Sequence, residues 1–232
     1  MKNNKKIISS ANRTLERELS SIKNLKSTFN LNFCKAVNLI YNTKGKVVIT
    51  GVGKSAHIGN KISATLTSTG TPSYFVHATE ASHGDLGSIK KDDCVVAISN
   101  SGETEELINI IPTLKRFSYK IVAITGNKSS SIAKSSDINI VIKTKKEACP
   151  LDLAPTSSTT ANLAFGDALA IALLEARGFT RKDFASSHPA GKLGRKLITQ
   201  VENLMHKGKE LSLIHISEPT RPLYISYAVF CL

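Results

Sequence analysis

The chain has 232 residues and a mass of 25.0 kDa, with 41% hydrophobic and 21% charged residues. That length accommodates one domain with a full core, and that balance excludes disordered, collagen-like and coiled-coil chains. The net charge is +13, and +7 of it falls in residues 1–44; no basic run is interleaved with aromatics and Trp is absent, so no nucleic-acid partner is expected.

The first ten residues carry three lysines, but Asn12, Arg13, Glu16, Arg17 and Glu18 follow where a signal peptide has its apolar core. The expected location is the cytoplasm. Cysteines at 34, 94, 149 and 231 lack zinc-site pairing and disulfide density, which suits a reducing compartment and predicts ordinary buried or half-buried thiols. Residues 11–41 space Leu15, Leu19, Ile22, Leu25, Phe29, Phe33, Val37 and Ile40 mostly three or four apart, predicting one amphipathic helix or two. Residues 1–44 are therefore expected to form a helical segment packed on the domain.

From Lys46 the pattern changes to short β-rich runs: Val47–Thr50, Ser73–Val76, Cys94–Ser99, Lys120–Thr125 and Ile138–Ile142. Helical stretches lie between them, at Ser55–Ser68, Glu103–Lys115 and Ser130–Lys134. Strands alternating with helices predict an α/β fold with a five-stranded parallel sheet covered on both faces. A long helix is predicted from Ser157 to Arg177, ended by Gly178. The domain is expected over 45–198. The last 22 residues, 211–232, show no clear period and an apolar run too short to span a bilayer, so they read as a foreign or out-of-frame tail. No membrane association is expected.

In an open parallel sheet, ligands bind beyond the carboxyl ends of the strands. Three loops there are rich in small and hydroxyl residues. Gly51-Val52-Gly53-Lys54-Ser55-Ala56 offers a G-x-G-x-x-A pattern, but no acid near 70–76 is placed to hold a ribose. As a Walker A loop it fails because position 48 is Val48. What remains is a tight strand-to-helix turn or a non-nucleotide site. Ser99-Asn100-Ser101-Gly102-Glu103-Thr104 supplies three hydroxyls and a glycine at a helix start, where N–H groups and the dipole favour a phosphate. A helix cap explains one hydroxyl, not three. Pro155-Thr156-Ser157-Ser158-Thr159-Thr160 opens the long helix and serves equally as a cap or a ligand contact.

These loops, with Ser68-Thr-Gly-Thr-Pro72, His83-Gly-Asp-Leu-Gly87, Lys146-Glu-Ala-Cys-Pro150 and Ser187-His-Pro-Ala-Gly191, resemble the sugar isomerase (SIS) domain of bacterial arabinose-5-phosphate isomerases over about residues 10–207. The hydroxyl-rich loop marks an SIS domain, whereas the Lys-Glu-Ala-Cys-Pro and Ser-His-Pro segments mark this isomerase. The resemblance implies a flavodoxin-like, doubly wound sheet and the interconversion of D-ribulose 5-phosphate and D-arabinose 5-phosphate, the precursor of Kdo in lipopolysaccharide or capsule. Such an isomerisation passes through an enediol, and needs a base, proton donors and a phosphate anchor but no redox cofactor.

By position, the resemblance places catalytic roles on Lys54, Glu106, Glu147 and His188. Lys54 stabilises negative charge on the enediolate or phosphate, or is a surface lysine. Glu106 falls in a helix's first turn, where a carboxylate is often only a dipole partner. Glu147 sits in a loop with no evident helix to explain it and is the first choice for the C1/C2 base. His188 suits ring opening or proton shuttling, and the two roles are interchangeable. Substrate contacts are implied at Gly70, Thr71, His77, Ser99, Ser101 and Thr104. His83 matches a metal-associated position, but one imidazole beside one carboxylate is a poor site, so zinc there is expected to inhibit and no cofactor is required.

Relatives of this kind continue into paired CBS domains. Here only Val201–Lys207, within 199–210, resembles the start of one, and the SIS domain is expected to catalyse without it. The resemblance also implies a homotetramer with active sites near subunit contacts. The competing classes are a non-catalytic sugar-phosphate sensor and an isomerase of another phosphosugar.

Overall fold

The computed structural model describes residues 3–117, 119–188 and Met205. The chain forms two compact units, Met1–Phe184 and Ala185–Leu232. The expected boundaries at 199–210 and 211–232 lie, Met205 apart, outside the described residues.

Helix α1 (Asn4–Asn24) begins at Asn3, whose side chain accepts the Lys5 N–H, and runs into a 3-10 turn at Leu25–Ser27. Helix α2 (Leu31–Tyr41) is capped by Asn30, which accepts the Asn32 N–H at 2.9 Å. The N-terminal stretch is therefore two helices, starting earlier than the apolar period suggests. A capped polar first turn leaves no trace in hydrophobic spacing.

Strand β1 (Val47–Gly51) leads into α3 (Gly53–Ser68), then β2 (Ser73–His77), the short α4 (Ala78–Ser82) and β3 (Cys94–Ser99). Helix α5 (Glu105–Arg116), β4 (Lys120–Thr125), α6 (Ser131–Ser135), β5 (Ile138–Val141), α7 (Ser157–Arg177) and α8 (Arg181–Ser187) follow. Among the described α-helices, α4 and α8 have no counterpart in the predicted elements, being one or two turns long and without a hydrophobic period. The sheet is parallel throughout, in the order β2-β1-β3-β4-β5. This is the flavodoxin-like doubly wound arrangement. β1 and β3 are buried at every position, the continuous apolar run expected of strands covered on both faces.

Alternation along β1 assigns its residues to two cores. Val47 and Ile49 join Ile40 of α2, Ile62 and Leu66 of α3 and Phe165 and Leu169 of α7 on one face. Val48 joins Ala81 of α4, Leu107, Ile111 and Leu114 of α5 and Ile132 of α6 on the other. The N-terminal helices belong to the first layer: Phe33 meets the Phe165 ring edge-on at 5.8 Å, and Thr28 Oγ1 donates to the Val141 carbonyl at 3.1 Å. Of the described cysteines, Cys94 is buried, which pushes its thiol up to about 12, Cys149 is half-buried, and Cys34, contrary to expectation, is exposed.

Helices α3 and α7 pack closely against each other. A Cβ on Gly166 would stand 2.3 Å from Cγ1 of Ile62, so only glycine lets the two backbones approach this closely. Beside it Lys61 pairs with Asp167. Gly178 ends α7 at φ 63°, the left-handed conformation that closes a helix at low cost for glycine. We expect Gly166→Ala to lower unfolding stability by about 1–3 kcal/mol through overpacking. Pairing it with Ile62→Ala should cost less than the sum of the single changes, as urea denaturation at constant m would record.

Candidate active site

β1 and β3 are neighbours in the sheet, yet the chain leaves them towards opposite faces, β1 into α3 and β3 into α5. Their loops consequently diverge at the carboxyl edge and open a crevice. A cavity of about 230 Å³ occupies it. The β1–α3 connection contributes Val52, Lys54 and Ser55, and the β3–α5 connection Asn100, Ser101 and Thr104. The first turns of α7 close the wall with Ser158, Thr159 and Asn162. The volume lies below the roughly 300–1,000 Å³ of drug-sized pockets, which suits a small metabolite better than a dinucleotide.

The hydroxyl loop is a folded cradle. Ser99 Oγ, buried at the end of β3, lies 2.8 Å from Thr104 Oγ1 and accepts the Gly102 N–H at 2.9 Å. Ser101 Oγ accepts the Glu103 N–H at 3.1 Å. Gly102 adopts φ 69°, which closes the turn and, because any Cβ there would fall on Ser130 Oγ, also fits the loop against the start of α6. Thr104 is the backbone cap of α5 but makes no side-chain capping bond, so its hydroxyl belongs to the Ser99 cluster. The helix itself begins at Glu105, two residues later than predicted, because the loop needs Glu103 and Thr104 in other conformations.

Three helices start at this cavity: α3 at Gly53, α5 at Glu105 and α7 at Ser157. Each has first-turn N–H groups outside the helical ladder and a positive dipole end. α5 carries Glu105 and Glu106 in its first turn, whereas α3 has no acid there, no side-chain cap, and exposed Lys54 as its second residue. Lys54 is the charged side chain of the lining.

The α7 terminus is already occupied by Glu147. Glu147 Oε2 accepts the Thr156 N–H at 2.7 Å, the Thr156 hydroxyl at 3.2 Å and the Ser158 N–H at 3.2 Å. Burial raises this carboxyl's pKa, but the Ser158 and Thr156 donors outweigh it and leave the group below its ordinary value. A helix therefore does account for Glu147, although it begins ten residues downstream in the chain. The carboxylate sits directly behind Ser158, a residue of the cavity wall.

The remaining expected residues are dispersed. Glu106 is half-buried in the first turn of α5, outside the cavity lining. His77 ends β2 opposite Gly51, at the same sheet edge, with its ring 6.4 Å from Phe75 and its Nδ1 buried without a hydrogen-bond partner. His83 is exposed at the end of α4. Among the described residues no three His, Cys, Asp or Glu side chains gather into a metal site. Gly70 and Thr71 follow the end of α3 and precede β2, which puts them at the amino edge, a helix length from Lys54. Thr71 there accepts a hydrogen bond from Arg177 Nε at 3.1 Å, and Gly70 packs against Phe179. His188 follows α8 and belongs to the second compact unit, where its N–H donates to the Ala185 carbonyl at 3.1 Å. Pro189 and Gly191 lie outside the described residues.

Ser55 and Asn100, within two of the three singled-out loops, also line the cavity, as does Asn162, which lies outside all three loops. Asn162 was legible in principle, because it lies three and four residues beyond Thr159 and Ser158 on one face of α7.

Comparison with known proteins agrees with this arrangement. The SIS domain family matches residues 39–172. Over 211 residues the chain is 53% identical to a Pseudomonas aeruginosa PAO1 protein named arabinose 5-phosphate isomerase KdsD, covering 91% of this chain and 65% of that one. The Escherichia coli K12 protein of the same name is 55% identical over 197 residues, covering 85% and 60%. The chain thus spans about three fifths of these relatives' length. An E. coli CFT073 protein solved in complex with arabinose 5-phosphate is 44% identical, with a TM-score of 0.78, over 81% of this chain and 100% of that one. Family match, sheet order and the serine-lined crevice coincide, and the chain belongs to the SIS domain family.

Proposed function

We propose that this chain is an aldose–ketose isomerase acting on D-ribulose 5-phosphate and D-arabinose 5-phosphate, and that it supplies the latter for Kdo formation. The observation that carries the reading is that Ser101 and Thr104, held in one hydroxyl cradle with Ser99, line the same small cavity as Lys54. The relatives' names support the choice of sugar. Among the described residues no helix is long and apolar enough to cross a membrane; a cytoplasmic homotetramer is part of the same reading.

In this reading the hydroxyls and the α5 N-terminus hold the phosphate, fixing C1 and C2 towards the α3 and α7 starts. A base takes the C1 proton of the ketose and returns it to C2, while one proton moves from O1 to O2 by way of the enediol. Lys54 stabilises the oxyanion of that intermediate. Glu147 stays first choice for the carbon base, with His188 for ring opening and Glu106 in support. No metal enters a step, and His83 is assigned at most an inhibitory zinc. Gly70 and Thr71 lie at the far sheet edge of their own chain, so any substrate contact they make is to a neighbouring protomer's site.

The test is to incubate the protein with ribulose 5-phosphate in deuterated solvent. Aldose with deuterium at C2 is expected, and binding without conversion would instead identify a sensor. Ser101→Ala should raise KM about tenfold, since it loses one hydrogen bond to a charged group. Lys54→Met should lower kcat/KM about a hundredfold or more.

Glu147→Gln should lower kcat about 10²–10⁴-fold if the carboxylate moves the proton; a near-native kcat with reduced stability would leave it a helix cap. Its folded pKa is lowered, so its contribution to stability is present above the unfolded value and is lost as pH falls through the folded one. An acid limb of kcat/KM set by Glu147 should accordingly lie below that of an ordinary glutamate. Loss of turnover in His188→Asn with turnover retained in Glu147→Gln would transfer the base to the imidazole.

A further inference from the structure

Glu103 raises a question that the proposed chemistry leaves unanswered. A carboxylate stands in the middle of a loop read as a phosphate cradle, two residues after Ser101, where its charge would oppose a dianion. Its side chain, however, is directed elsewhere: Glu103 Oε1 accepts the Ser131 N–H at 2.9 Å, at the first residue of α6. Hydrogen bonds from the Ser131 hydroxyl and N–H hold the carboxyl below its ordinary pKa, with Lys134 adding a favourable charge.

Two backbone bonds run beside this one. The Ile132 N–H donates to the Gly102 carbonyl at 3.1 Å, and the Gly126 N–H to the Asn100 carbonyl at 2.9 Å. The β3–α5 loop is thus sewn to the β4–α6 connection at three points, residues 100, 102 and 103. The first two bonds belong to the main chain, and only the third depends on a side chain. The same residue's N–H fixes Ser101 Oγ at 3.1 Å, so Glu103 ties the hydroxyl that lines the cavity to the α6 start.

We propose that Glu103 is a positioning residue for phosphate binding, a strap that holds the Ser101–Thr104 turn on α6 and turns its own charge away from the anion. The inference rests on the proposed function only in taking this loop as the phosphate site. The strap sets binding, not proton transfer, because Glu103 makes its contacts on the α6 side of the loop.

Inorganic phosphate titrated into the 232-residue chain by calorimetry reads the strap without any turnover, and steady-state kinetics with ribulose 5-phosphate reads it through KM. Glu103→Ala should weaken phosphate binding and raise KM about three- to tenfold with kcat within about twofold, the loss typical of one charge-assisted bond at an exposed site. Glu103→Gln keeps an acceptor oxygen and should recover most of the loss. Ser131→Pro removes the partner N–H and hydroxyl while suiting the first position of a helix, and Ser130 already has the extended φ −68°, ψ 161° that a following proline needs. It should reproduce the Glu103→Ala effect, and the double variant should be no worse than the weaker single one.

Tighter phosphate binding in Glu103→Ala would overturn the proposal by showing an uncompensated repulsive charge. Unchanged binding in all three variants would do so too, as would a fall in kcat at constant KM. Expected phosphate behaviour without any isomerisation would sink the proposed reaction and leave the strap standing.

Discussion

Everything at the candidate site follows from the parallel sheet and the order of its strands. When all five strands run the same way, every helix that follows a strand must begin at the carboxyl edge. With β1 beside β3, the helices that begin there part to opposite faces and leave a crevice between their first turns. The cavity is therefore a consequence of connectivity. The side chains decide only what it binds.

Charge at the helix starts divides the labour among them. α7 has its positive end engaged by Glu147, through two N–H groups and a hydroxyl. α5 bears two acids in its first turn but presents Ser99, Ser101 and Thr104 before them. α3 has no acid in its first turn and adds Lys54. The three starts thus offer a hydroxyl cradle, a cation and an ionised carboxylate one residue behind the wall, which are the component types an enediol reaction uses. The same bonds that keep Glu147 ionised also lower its basicity, so its position as helix partner and its assignment as base are in tension.

The layer behind the cavity keeps these starts in register. Gly166 lets α7 lie against Ile62 of α3, Lys61 and Asp167 pair across the same contact, and Phe33 and Phe165 join α2 to α7. Arg17 of α1 donates to the Glu147 carbonyl at 3.3 Å, so the N-terminal helices also brace the loop that carries the carboxylate. On the other face the Glu103–Ser131 bond does the corresponding work for the hydroxyl loop. Each side of the crevice is held by a contact between elements distant in sequence.

Local patterns in the chain determined a great deal. Five apolar runs of strand length, helices between them and a glycine after Arg177 specified the elements, because backbone periodicity and turn chemistry act over a few residues. The three hydroxyls around Gly102 were legible for the same reason, and the structure folds them into one hydrogen-bonded turn. Other features came only with the tertiary structure. Glu147 looked isolated because the helix it serves starts ten residues later. Gly70 and Thr71 stand at the opposite sheet edge of their own chain, a placement set by the length of α3 and not by their motif. Asn162 reaches the cavity only because α7 packs across the crevice, and Glu103 finds its partner 28 residues away on α6. Short-range sequence sets conformation, whereas the meeting of groups far apart in the chain depends on how helices dock on the sheet, and that docking is settled by the collective packing of two cores that no single segment contains.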